Sequence, residues 1–167
     1  QALGYEYELL KRLADYLDLE LEVVIAHDMN EIINMLNKGE GDLIAHGLTI
    51  TQERKQAIDF TDYVYLTHQV LVQKKPDNWR KMKRHEIQKE LVSSPIQLIG
   101  DTVSVRANSS YFHRLQNLEE EIGGNIYVDT IPGTVPTTKI IQKVVNGEIE
   151  YTIADNNIAE INNSYYP

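Results

Sequence analysis

The residues whose types and spacing best suit chemistry lie in one short stretch, residues 42–54, which reads Asp-Leu-Ile-Ala-His-Gly-Leu-Thr-Ile-Thr-Gln-Glu-Arg. A short apolar run breaks at Gly47, two threonines follow, and Arg54 comes a few residues later. Backbone amides, hydroxyls and a guanidinium in such a turn can converge on an anion. A carboxylate fits best, because arginine binds it through two parallel hydrogen bonds. A plain strand–turn–helix connection with a solvated arginine is an equally good interpretation of these residues alone.

Other reactive residue types occur without the spacing that catalysis or metal binding requires. The five histidines form no His-Glu-x-x-His pattern, and the chain has no cysteine. Ser109 and Ser110 lack the Gly-x-Ser-x-Gly elbow of serine hydrolases. The glutamates at 119–121 fit a solvated helix end better than a catalytic pair. We therefore expect a non-catalytic chain without metal or cofactor.

Composition excludes several classes of function. The hydrophobic content of 42% and charged content of 25% over 167 residues are those of an ordinary globular protein. A net charge of −9 argues against nucleic acid as a partner. No apolar run approaches the length that spans a bilayer. The basic segment 81–89 is one helix long, and we interpret it as surface, with contact to an attached domain or an anionic membrane as alternatives.

Hydrophobic periodicity predicts that helices alternate with nearly continuous apolar strands, which indicates a parallel α/β sheet. The first half is predicted to contain helices at 5–17 and 29–36, strands at 19–26 and 42–48, and a short helix opening at Thr51. The second half is predicted to contain a β-rich stretch at 60–75, helices at 82–91, 109–122, 138–145 and 156–163, and strands at 102–105, 125–130 and 151–154.

One sequence pattern occurs twice in the chain. Residues 37–45 and 146–154 each run from a helix through glycine and an acidic residue into an apolar strand. Two similar lobes, 1–75 and 76–167, joined by a hinge near 66–76, would direct their strand ends towards a shared cleft. Ligands of open α/β sheets lie beyond the carboxyl ends of the strands. Here those ends are residues 46–49 in one lobe, and residues 108–110 and Asp155 in the other.

These motifs resemble the family-3 extracellular solute-binding proteins, which have the type-2 periplasmic binding fold and carry polar amino acids. The matching stretches are Gly4-Tyr5, Ala14-Asp-Tyr-Leu17, Gly39-Glu-Gly-Asp42-Leu, Gly47-Leu-Thr-Ile-Thr-Gln-Glu-Arg54 and Phe60-Thr-Asp-Tyr-Val-Tyr65. Within the family, residues 11–17 and 150–155 are similar to the sensor domains of membrane-bound lytic murein transglycosylases. Those enzymes join such a domain to a lysozyme-like catalytic domain.

The resemblance implies a site that binds a zwitterion. Arg54 would hold the ligand carboxylate, helped by the amide and hydroxyl of Thr49. Ser110, with Ser109 beside it, would contact the same carboxylate from the second lobe, and Asp155 would pair with the ammonium. The physics agrees, because neither charge of an enclosed amino acid can remain unpaired.

Four positions in this implied site need comment. Gly47 is where the family often offers a backbone carbonyl to the ammonium. Met29 stands at a wall position that is often aromatic, His46 stands where small residues are usual, and Asn108 replaces a glycine. We therefore expect a pocket of different shape from that of typical members.

Two functions follow from the resemblance. The first is a periplasmic sensor domain, with a tether to the outer membrane as an option, that binds an amino acid or muropeptide and regulates an attached lytic transglycosylase domain. The alternative is an amino-acid receptor of an ABC permease. Compared with the family, we expect a fold truncated at both ends. Its first lobe would lack the first strand and the returning segment, and the slot between 19–26 and 42–48 would be filled by other residues or another chain.

Overall fold

The computed structural model describes residues 4–27 and 29–166, and the chain separates into two units, Gln1–Asp62 and Tyr63–Pro167. The predicted lobes instead meet at residue 75, and the predicted hinge at 66–76 overlaps a strand of the second unit, β1 (Gln69–Gln73). The lobe limits and the hinge remain predictions.

The described part of the first unit is built from three helices: α1 (Tyr5–Leu17), α2 (Met29–Lys38) and α3 (Gln52–Ala57). All three lie where apolar periodicity or a cap residue predicts them. Helix α1 ends at Leu17 and is capped by Asp18, whose left-handed backbone allows the amide of Leu19 to reach the carbonyl of Ala14. Helix α3 begins after Thr51, whose hydroxyl accepts the amide proton of Arg54.

The prediction of two strands in the first unit is wrong. Residues 19–26 and 42–48 have no strand pairing within residues 4–27 and 29–62. A strand is held by hydrogen bonds to a neighbouring strand, and neither segment has such a neighbour in this described part. Their apolar side chains lie largely in solvent, as Val24 at 55% exposure and Ile25 at 77% illustrate.

The second unit contains a four-stranded sheet with the order β1-β4-β2-β3. After β1 come β2 (Thr102–Arg106), β3 (Tyr127–Ile131) and β4 (Tyr151–Asp155). Strands β2, β3 and β4 are parallel, whereas β1 runs antiparallel to β4, with Gln69 opposite Asp155. The predicted α/β class is therefore realised here, with one antiparallel edge strand added.

Four helices accompany this sheet: α4 (Arg84–Glu90), α5 (Ser110–Ile122), α6 (Thr137–Asn146) and α7 (Asn156–Tyr165). Short 3₁₀ turns cover Trp79–Lys81 and Pro95–Leu98. Val103 and Val105 of β2 are fully buried and form a core cluster with Tyr111 and Leu115 of α5. Helix α6 packs its buried apolar side chains on β1, β2 and β4. Burial of this apolar surface stabilises the second unit.

Across residues 4–27 and 29–166, none of the helices has both the length and the apolar composition needed to cross a bilayer.

Candidate functional site

The turn before α3 places two predicted site residues, Thr49 and Arg54, together. Arg54 lies in the first turn of α3, and its Nη1 donates a hydrogen bond of 2.9 Å to the carbonyl oxygen of Thr49. The amide of Arg54 donates to the hydroxyl of Thr51 at 3.2 Å. The hydrogen bond to the Thr49 carbonyl holds the guanidinium of Arg54 beside the backbone of Thr49. A carboxylate site at this turn requires these two groups to lie together.

His46 and Gly47 lie immediately upstream in the same segment. The amide of Leu48 donates to the carbonyl of His46 at 2.6 Å, which closes a three-residue turn centred on Gly47. Both residues are exposed, whereas Met29 is half-buried at the first position of α2. Met29 thus belongs to a different element from the other site residues of the first unit.

In the second unit, the sheet topology assembles the remaining predicted residues. Strands β2 and β4 are parallel neighbours, so Arg106 and Asp155 end at the same edge of the sheet. The loop after β2 leads into α5 through Ser109 and Ser110. Because ligands of open α/β sheets bind at the carboxyl ends of strands, this edge is where a site is expected.

The connection from β2 to α5 has a defined backbone. Asn108 adopts the left-handed conformation with a φ of 59°, which asparagine tolerates better than most side chains and which glycine adopts freely. Asparagine is therefore compatible with a position at which the resemblance implies a glycine. Ser109 is the N-cap residue of α5, yet its hydroxyl makes no cap bond and donates instead to the carbonyl of Arg106 at 2.6 Å.

Asp155 is the most distinctive charged group of this edge. It ends β4 and precedes α7, is half-buried, and interacts with the Tyr111 hydroxyl. Burial raises the pKa of the Asp155 carboxyl above its ordinary value, and the interaction with the Tyr111 hydroxyl lowers it in part. Burial, reinforced by the negative charge of Asp155, raises the pKa of Tyr111 to about 12. At neutral pH this tyrosine is therefore protonated and able to donate.

Sequence reasoning missed Tyr111, although a signal was present. Tyr111, Leu115, Leu118 and Ile122 recur at helical spacing, which places the tyrosine on the buried face of α5. A buried tyrosine normally finds a partner for its hydroxyl. The loop after β2 and the end of β4 share one edge, so Asp155 was an available partner.

Gln69 was also missed. It lies directly opposite Asp155 in the β1–β4 ladder, and side chains of such a pair share one face of the sheet. Its Oε1 is buried and accepts no hydrogen bond in the described structure. A buried acceptor of this kind is satisfied when a donor approaches.

An apolar cavity of about 270 Å³ lies behind Tyr111, between β1, α5 and residues 92–95. Its lining includes Gln69 and Tyr111 but not Ser109, Ser110 or Asp155. The cavity is thus adjacent to the strand-end site rather than part of it. Within residues 4–27 and 29–166, no cluster of His, Asp and Glu has the arrangement of a metal site.

The predicted residues therefore form two groups, one in each unit. Thr49 and Arg54 are joined by a hydrogen bond in the first unit, next to the turn at His46 and Gly47. In the second unit, Tyr111 links the first turn of α5, where Ser110 begins the helix, to Asp155. Each group carries one sign of charge, cationic in the first unit and anionic in the second.

Comparison with curated proteins gives membrane-bound lytic murein transglycosylases among the relatives of this chain. The chain is 32% identical over 165 residues to a membrane-bound lytic murein transglycosylase F of Desulfosudis oleivorans, covering 99% of this chain and 33% of that protein. It is 30% identical to the protein of the same name from Saccharophagus degradans, covering 98% of this chain and 30% of that protein. The chain thus spans about a third of the length of these relatives.

Comparison with solved structures gives amino-acid-binding proteins. An ancestral arginine-binding protein bound to glutamine matches with a TM-score of 0.76 at 24% identity, covering 100% of this chain and 65% of that one. The arginine-, lysine-, histidine-binding protein ArtJ of Geobacillus stearothermophilus matches with a TM-score of 0.70 at 24% identity, covering 96% and 61%. At this identity the likeness establishes the fold alone, and it confirms the predicted periplasmic-binding-protein-like class.

A family model provides the remaining comparison. The family is one of binding domains, which confirms the expectation that this chain is not itself an enzyme. The model, described as bacterial extracellular solute-binding proteins, family 3, matches residues 1–167, and the chain belongs to that family.

Proposed function

We propose that this domain binds a small zwitterion, either a free amino acid or the terminus of a cell-wall peptide. The observation that carries the proposal is the half-buried Asp155 carboxylate at the carboxyl-terminal end of β4, beside the end of the parallel strand β2. A carboxylate that is partly removed from water, and whose pKa burial raises, gains from a cationic partner. The ammonium group of an amino acid is such a partner.

In this proposal the ligand carboxylate is held by the first unit. Arg54 provides the guanidinium, and Thr49 provides its amide and hydroxyl, with the side chain of Arg54 already fixed on the Thr49 carbonyl. Ser110, at the amino-terminal end of α5, adds a donor where the helix dipole favours an anion, and Ser109 beside it holds the loop through its hydrogen bond to Arg106. The carbonyl of Gly47 and the buried Oε1 of Gln69 supply further acceptors for the ammonium.

Met29 and His46 are proposed to shape the wall of the pocket around the ligand side chain. The resemblance implies other residue types at both positions, so the preferred ligand is expected to differ from those of typical members. Membership of the family supports the proposal that the domain binds a solute, and the identity of the ligand is also part of the proposal.

We further propose that the domain regulates an attached lytic transglycosylase domain in the periplasm, with a tether to the outer membrane. The relatives' shared name favours this role over the alternative, an amino-acid receptor that delivers its ligand to an ABC permease. A solved substrate-binding protein of an amino-acid ABC transporter shares the fold, which supports that alternative only at the level of architecture. A ligand can shift the enzyme's state by no more than its differential affinity for the two states.

Calorimetric titration with paired ligands tests the zwitterion site. The full-length protein is titrated with a panel of amino acids and muropeptide-like peptides, and with N-acetylated and amidated forms of any ligand that binds. Wild-type protein is expected to lose about 2–4 kcal/mol of binding free energy for either modified ligand, because one buried charge remains unpaired. Asp155→Ala should remove the discrimination against N-acetylation, and Arg54→Ala the discrimination against amidation.

Arg12→Ala, an exposed arginine on α1, is the matched control and should bind as wild type does. If Asp155→Ala and Arg54→Ala bind the unmodified ligand as tightly as wild type, the proposed site is wrong. The enzymatic role is tested separately: ligand should change the transglycosylase rate of the wild-type protein and leave that of Asp155→Ala unchanged.

A further inference from the structure

One segment of the second unit has a charge opposite to that of the rest of the chain. Residues 74–89, which we name the Trp79 patch, contain seven Lys or Arg residues and two acidic residues, a net charge of +5. Since the whole chain carries −9, the remaining residues carry −14. The chain is thus strongly polarised, and the positive charge is concentrated in one short stretch of surface.

Most of this positive charge is not neutralised locally. Asp77 pairs with Lys74 at 2.8 Å, whereas the carboxylate of Glu86 accepts the backbone amide of Lys83 at 2.6 Å. The other cations make no ion pair in the described structure. Those that lie exposed to solvent are Arg80, Lys81, Lys83, Arg84 and Lys89.

Trp79, the single tryptophan of the chain, lies at the centre of the patch. Lys75 Nζ lies 4.4 Å from the centroid of its ring, and Arg80 Cζ lies 4.9 Å away. Consecutive backbone turns hold this part in place: the amide of Trp79 donates to the carbonyl of Pro76, and that of Met82 donates to the carbonyl of Trp79. The patch therefore presents an aromatic ring between two cations on a hydrogen-bonded backbone.

The chemistry of the patch favours a lipid surface over other polyanions. Protein interfaces are depleted in lysine and have an apolar centre, whereas five of the seven cations here are lysines. Lysine is a point charge that needs no fixed partner geometry, which suits a diffuse anionic surface. Tryptophan is enriched at the headgroup level of membranes, and long basic side chains extend from apolar surroundings towards lipid phosphates. Nucleic acid is disfavoured because the rest of the chain is strongly negative.

We propose that the Trp79 patch docks on an anionic phospholipid bilayer, with Trp79 at the headgroup level and the surrounding Lys and Arg side chains against lipid phosphates. This contact does not depend on the ligand site, since it uses residues outside that site. It would orient the second unit on the membrane through a surface formed by residues of that unit.

Vesicle binding tests the proposal, and Trp79 itself is the probe. The chain is mixed with vesicles of phosphatidylcholine alone or of phosphatidylcholine with phosphatidylglycerol, and binding is followed by co-sedimentation and tryptophan emission. We expect binding and a blue shift of the emission only with the anionic vesicles. Binding should fall with added salt, because exposed charges are screened.

Charge reversal identifies the surface that binds. Each unit of charge removed should lower the partition coefficient roughly fivefold, so Lys81→Glu combined with Arg84→Glu should lower it by more than about 100-fold. Lys11→Glu combined with Arg12→Glu, which reverses two exposed charges on α1, is the matched control and should have a much smaller effect. Lys81→Gln combined with Arg84→Gln should give an intermediate loss, and circular dichroism checks that each variant is folded.

Four results would overturn the proposal. The first is equal binding to neutral and anionic vesicles, and the second is an equal loss of binding in the α1 control. The third is binding to soluble polyglutamate, a stand-in for an acidic protein, that is tighter than binding to anionic vesicles. Trp79 emission that stays unchanged while the chain co-sediments would also overturn it, because the bound surface would then lie elsewhere.

Discussion

The two units contain the same sequence pattern, but it forms a strand in only one of them. Residues 37–45 and 146–154 both pass from a helix through glycine and an acidic residue to Ile-Ala. In the second unit this run forms β4, between β1 and β2, and Ala154 is fully buried. In the first unit the corresponding Ala45 is exposed, and residues 42–48 pair with no strand of the described chain. An apolar run therefore becomes a strand only where neighbouring strands accept its hydrogen bonds.

Hydrogen exchange provides the largest expected difference between these runs. The amides of Thr152, Ile153 and Ala154 lie in the central strand and should exchange only through large openings, with protection of about 5 kcal/mol or more. The amides of Leu43 and Ile44 should exchange at nearly the rate of an unstructured peptide. Exchange of the native chain followed by NMR or mass spectrometry measures both. Strong protection of residues 42–48 would show that they are paired and would contradict the comparison.

A pair of leucine substitutions should give the next largest difference. Leu115 on α5 is 1% exposed and packs in the core cluster, whereas Leu43 is 48% exposed. Leu115→Ala should lower the free energy of unfolding by about 2–5 kcal/mol through lost burial and the cavity that remains. Leu43→Ala should change it by less than about 0.5 kcal/mol. Urea denaturation followed by circular dichroism compares them, and similar losses would mean that the first unit has a core of its own.

The same contrast explains how far the sequence predicts this fold. Helices were predicted well because their signals are local: α5 begins at Ser110 and ends at Ile122, one residue from the predicted start and at the predicted end. Strands depend on partners that are distant in sequence. The β-rich stretch containing Gln69–Gln73 was predicted, but its antiparallel pairing with β4 depends on the topology of the whole sheet.

The candidate site follows the same rule. Asp155 was identified because a polar residue at the end of an apolar strand is visible in the sequence, and the structure places it there. Its interaction with Tyr111 was missed, because it depends on which strands are neighbours and on how α5 leaves β2. Gln69 was missed for a similar reason, since only the β1–β4 register places it opposite Asp155.

The pH dependence of stability gives the smallest expected effect, and it probes the anionic half of the site. Burial raises the pKa of Asp155 above the ordinary value of 3.8. The folded chain therefore holds this proton more tightly than the unfolded chain does. By linkage, the contribution of Asp155 to stability is complete below pH 3.8 and is lost as the pH rises through the raised folded pKa.

Two substitutions should change that loss in opposite directions. Asp155→Asn removes the titrating group. The difference in the free energy of unfolding between this variant and wild type should therefore be more favourable to the variant at pH 7 than at pH 3. Tyr111→Phe removes an interaction that lowers the pKa of Asp155, so the loss between pH 3.8 and neutrality should become larger. Urea denaturation at a series of pH values measures both profiles. If Tyr111→Phe leaves the profile unchanged, the tyrosine does not hold the carboxylate. If both variants show the predicted change, the second unit maintains a carboxylate at some cost to its own stability, as expected of a group kept for binding rather than for folding.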